Sequence, residues 1–220
     1  MKKIWVCSFP GELFDKIGLR HKYRGEPWEE PYKHHIVPQR NVDALPHMER
    51  YMQGFPVSSD LFPEASAVYS KALFPNGRPV SMAGIAYIVN AQIERVFRAF
   101  DIGPGGMAPY PIYEGDEKTP ISEPWWILGL GAQKRSLLPE RCAKIRTIVE
   151  GKAGKPSIYR KWPARRDDDL SFSADALAGA DLWAEEGLLN ALMMSEALGN
   201  RIIEAGLGDV FQIRSALVVE

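Results

Sequence analysis

Leu188-Leu189-Asn190-Ala191-Leu192-Met193-Met194-Ser195-Glu196-Ala197-Leu198 is the stretch on which the fold of this chain turns. Its second half starts a helix. Ser195 is an N-cap residue whose side-chain oxygen accepts from an N–H of the first turn, and Glu196 sets negative charge at the positive end of the helix dipole. Leu198, Ile202 and Ala205 line the inner face, and Gly206 followed by Leu207 supplies a C-terminal stop with its hydrophobic contact. From Asp209 to Val219 the residues alternate, with Phe211, Ile213, Leu217 and Val219 on one side and Gln212, Arg214 and Ala216 on the other, which predicts a half-buried strand. The first half, Leu188 to Met194, is an apolar run that reads either as a helix continued from Asp181 or as a buried strand, and local propensity favours helix. On the strand reading the tail is a strand-helix-strand unit, and parallel neighbours in it require a right-handed crossover.

Upstream, Ser81 to Asp101 has Ile85, Val89, Ile93, Val96, Phe97 and Phe100 at three- and four-residue steps, predicting one helix with Ser81 as N-cap and Gly103-Pro104 as its stop. Gly103 to Pro124 is rich in Gly and Pro and reads as a hinge or a long surface loop, the one candidate internal boundary. Pro124 to Leu130 reads as a buried strand and Ile145 to Val149 as a shorter one. The charged stretch Lys155 to Asp169 is expected to be a solvated loop, and Gly18 to Pro63, interrupted by six prolines, loops and short extended pieces.

With 220 residues and 45% apolar side chains, the chain can bury a substantial core as a single domain spanning 1–220. The class expected is α+β, a mixed β-sheet with packed helices ending in the strand-helix-strand unit. Lys and Arg number 27 against 28 Asp and Glu, so the net charge of -1 offers no global field to nucleic acid or to an anionic membrane. Cys7 and Cys142 supply no disulfide framework and no four-cysteine zinc site. Met1 to Pro10 starts like a signal peptide, but Pro10, Gly11 and Glu12 interrupt it, and it reads as a first β-strand. No apolar run approaches the roughly 20 residues of a membrane-spanning helix, so a cytoplasmic protein is expected.

The most suggestive chemical motif is His34-His35-Ile36-Val37-Pro38, a string found in metal-dependent nucleases of the His-Asn-His type, where one histidine activates water and a later one holds the metal. The later histidine here is His47, with Asn41 between Pro38 and Pro46, which leaves too little chain for the second strand and helix of such a site. No Gly-x-Ser-x-Gly elbow, phosphate loop or His-Glu-x-x-His helix occurs, and Gly129-Leu130-Gly131 lacks the third glycine of a dinucleotide fingerprint. Both cysteines lie in apolar surroundings and read as inert. Arg160-Lys161-Trp162 with Arg165-Arg166 forms a basic patch, but Asp167, Asp168 and Asp169 follow and would repel phosphates. No catalytic residue, metal ligand or cofactor is therefore assigned.

The tail Ala180-Asp181-Leu182-Trp183, Leu192-Met193-Met194-Ser195-Glu196-Ala197-Leu198 and Ala205-Gly206-Leu207-Gly208-Asp209-Val210-Phe211 resembles the end of a bacterial immunity-protein family, immunity family eleven of the polymorphic toxin systems. The likeness covers roughly the last forty residues well and Pro56 to Asp60 more loosely. It implies a strand before Ser195, no catalytic residues, and tight binding of a cognate toxin as the mode of action. The partner-facing residues expected on this reading are Trp28, Tyr32, Trp162, Asp167, Asp168 and Asp169, a mixture of aromatic anchors and acids. The alternatives are the nuclease built on His34 and His35, and a non-catalytic regulatory binding protein.

Overall fold

A computed structural model describes residues 2–7, 18–30, 46–47, 50–55, 57–70, 74, 80–83, 86–151, 157–161, 166–189 and 191–219. The first strands are β1 (Lys3–Cys7), β2 (Leu19–Lys22), β3 (Ala65–Val68), β4 (Val80–Ala83) and β5 (Ala86–Asn90), followed by the short helix α1 (Ala91–Phe97). The middle of the chain forms β6 (Met107–Tyr110), β7 (Ile112–Tyr113), β8 (Trp125–Leu128), β9 (Gln133–Lys134), β10 (Ile145–Val149) and β11 (Ile158–Lys161). Then come β12 (Ser171–Phe172), β13 (Leu182–Glu185), β14 (Leu188–Leu189), β15 (Leu192–Met194), α2 (Glu196–Glu204), α3 (Gly208–Phe211) and β16 (Arg214–Val218). Strand dominates: the fold is built from mixed sheets with few helices.

The largest sheet has the order β12-β16-β1-β15-β13-β9, and it is mixed: β1 runs antiparallel to both β15 and β16, while β12 is parallel to β16 and β9 to β13. Residue alternation along its strands feeds two cores. Cys7, Leu182, Ala184, Leu192 and Met194 face one cluster, where Ile93, Val96 and Phe97 of α1 and Leu198 and Ile202 of α2 pack. Ile4, Val6, Trp183, Met193, Ala216 and Val218 face the other, with Leu170, Phe172 and Leu188. A sheet covered on both faces has continuously apolar strands, which is why Leu192 to Met194 carries no legible period. Leu188–Leu189 and Leu192–Met194 are strands, in two different sheets, against their helical propensity, because tertiary burial outweighs a preference worth a few tenths of a kcal/mol per residue.

The same effect corrects the expected helix over Ser81 to Asp101. Ser81 pairs with Ile88 as part of β4, every residue of β5 is buried, and the helix is confined to Ala91–Phe97. Its N-cap is Asn90, whose side chain accepts from the N–H groups of Gln92 at 3.1 Å and Ile93 at 3.3 Å. A strand buried on both sides places Val89 in register with a following helical stripe, and the two elements merge into one apparent period.

Gly103 to Pro124 is not a bare loop, since it carries β6 and β7. Pro109 is tolerated because β6 is an edge of the sheet β4-β5-β8-β6. The glycines serve close packing: a Cβ on Gly105 would lie 2.1 Å from the Gly129 carbonyl oxygen. Within the supposed solvated loop, Ile158–Lys161 forms β11. The expected strand from Asp209 begins as α3, and Gln212 then adopts φ 46°, so that Ala216 and Val218, not Leu217 and Val219, are the buried pair. That left-handed turn breaks the phase of the alternation.

At the tail, Ser195 accepts from the Leu198 N–H at 3.2 Å. The stop is a Schellman turn: Gly206 has φ 73°, its N–H donates to the Ile203 carbonyl, and the Leu207 N–H donates to that of Ile202.

Candidate partner-binding face

Two buried polar clusters stand out among the described residues. His21 and Ser66 face one another across β2 and β3, with Nδ1 and Oγ hydrogen-bonded at 2.8 Å, and Ser66 Oγ bonds Tyr110 Oη at 2.7 Å. A serine, a histidine and a tyrosine in series resemble catalytic parts, but His21, Ser66 and Tyr110 are all buried and Ser66 is wholly inaccessible to a substrate. Burial pushes the imidazole down to about 4, so at neutral pH it is an uncharged link in the core.

Glu185 is the second. Its carboxylate is fully buried and accepts from the backbone N–H groups of Ser136 and Leu137, from Ser136 Oγ at 2.8 Å and from Trp183 Nε1 at 3.3 Å. Burial raises its pKa, and the four donors oppose the rise. Lys134, its neighbour across β9 and β13, donates to the Ala176 carbonyl at 2.9 Å and holds its ammonium 3.5 Å from the Trp183 ring centroid. Burial lowers the lysine pKa while Asp181, Glu185 and Asp101 draw it back up. These contacts tie the edge strand β9 to β13. They are architecture.

Of the residues expected to meet a partner, those described are Trp28 and the three aspartates Asp167, Asp168 and Asp169. Trp28 bridges Lys22 of β2 and stands edge-on to Tyr113, ring centroids 6.2 Å apart. Asp167, Asp168 and Asp169 do come together, in a turn at the start of β16. Asp167 accepts from the Ser215 N–H at 2.8 Å, Asp168 from Ser215 Oγ at 2.8 Å, and Asp169 from the Arg166 N–H at 2.5 Å. Asp168 sits at φ 61°, a conformation that Asp tolerates better than most side chains. The acids thus have local structural work, with Asp167 and Asp168 still exposed. Tyr32, Trp162, His34, His35, Ile36, Val37 and Pro38 lie outside the described residues. Among the described residues, no group of three or more His, Cys, Asp or Glu side chains is placed to hold a metal, and no helix is long and apolar enough to cross a membrane.

A more coherent surface lies on the sheet β10-β11-β14, and only the β10 part of it was legible as strand. Its inner face, with Ile145, Tyr159 and Leu188, closes the second core. Its outer face follows from the register. Arg146 lies directly opposite Arg160, which pairs in turn with Leu189, and Val149 lies opposite Ile158 past a bulge at Ile148. From Arg146 to Val149 every residue of β10 is exposed, and Ile148 and Val149 are 42% and 51% accessible. Arg146 and Arg160 therefore share one face. Arg160 Nε is moreover shielded from water with no hydrogen-bond partner. The signal for this face was the short Ile158-Tyr159-Arg160-Lys161 alternation, masked by the charge around it.

No protein-family model matches this chain, and no curated protein matches it in sequence. The likeness of the tail therefore stands on its own residues.

Proposed function

We propose that this chain is an immunity protein that binds a cognate bacterial toxin in the cytoplasm and neutralises it by covering its active site or its approach to substrate. The observation that carries the reading is the outer face of β10, β11 and β14, where exposed aliphatic side chains flank a pair of arginines, the composition of a protein interface rather than of a catalytic cleft. The resemblance of the last forty residues to immunity family eleven supports it, with β15, α2 and β16 read as that family's strand-helix-strand unit. The aromatic and acidic residues Trp28, Tyr32, Trp162, Asp167, Asp168 and Asp169 are proposed as further partner contacts. An inhibitory complex of this kind buries roughly 1,600 Å² in total. Co-expression tests it: the chain is expected to rescue cells from a toxin encoded beside its gene and to co-purify with that toxin. Metal-dependent cleavage of DNA or RNA by the isolated chain, lost in His35→Ala, would instead establish the nuclease reading.

A further inference from the structure

We draw no further inference here: the strongest candidate, the exposed aliphatic pair Ile148 and Val149 on the outer face of the sheet β10-β11-β14, belongs to the surface already described, and nothing in the structure shows what covers it.

Discussion

At Glu185 a carboxylate loses water and gains four hydrogen-bond donors, an exchange that holds only while every donor is in place. Glu185→Ala leaves those donors buried and unpaired, and roughly 3–5 kcal/mol of stability is expected to go with them. Thermal denaturation would register this as a fall of roughly 10 °C. Glu185→Gln should recover only part of it, since an amide presents donors to some of the same groups. His21 makes a prediction about pH. The folded imidazole stays neutral down to about 4, whereas the unfolded one titrates at the ordinary histidine value of about 6.5, so the unfolded chain takes up the proton first. Its contribution to stability is full above about 6.5, falls as pH drops toward 4, and amounts to about 3 kcal/mol across that window. Urea midpoints of the parent and His21→Gln should converge as pH is lowered from 7 to 4.5, and parallel pH profiles would contradict the assignment.

Among the elements, α2 depends on a missing side chain. A Cβ on Gly199 would stand 2.0 Å from Trp5 Cδ1, so the glycine lets the helix lie directly on β1. Propensity alone predicts that Gly199→Ala stabilises a helix by up to about 1 kcal/mol. The contact predicts the reverse, a net loss of roughly 1–3 kcal/mol from overpacking, measurable by chemical denaturation. The ends of α2 were readable because Ser195 and Gly206-Leu207 act within one turn of themselves. The strand Ala86–Asn90 was not, because its burial on both sides is imposed by partners remote in sequence, β8 and β4 among them.

The whole molecule is organised by one sheet whose alternate residues serve two cores, as Leu182, Trp183 and Ala184 do in succession. Neither core can open without disturbing the other, so tryptophan fluorescence and far-UV circular dichroism should report coincident unfolding transitions; two separated transitions would refute the coupling. The candidate interface follows the same logic, since Arg146 and Arg160 share a face only through the register of β10 and β11. What the sequence determined by itself was local: the helix cap at Ser195, the stop at Gly206, the strands around Trp125 and Ile145, and a charge balance that excludes a global field for nucleic acid. Which apolar runs became strands, which way β16 faces, and which arginines meet were decided by tertiary structure alone. Those outcomes depend on burial and pairing between distant segments, and no local pattern of side chains encodes them.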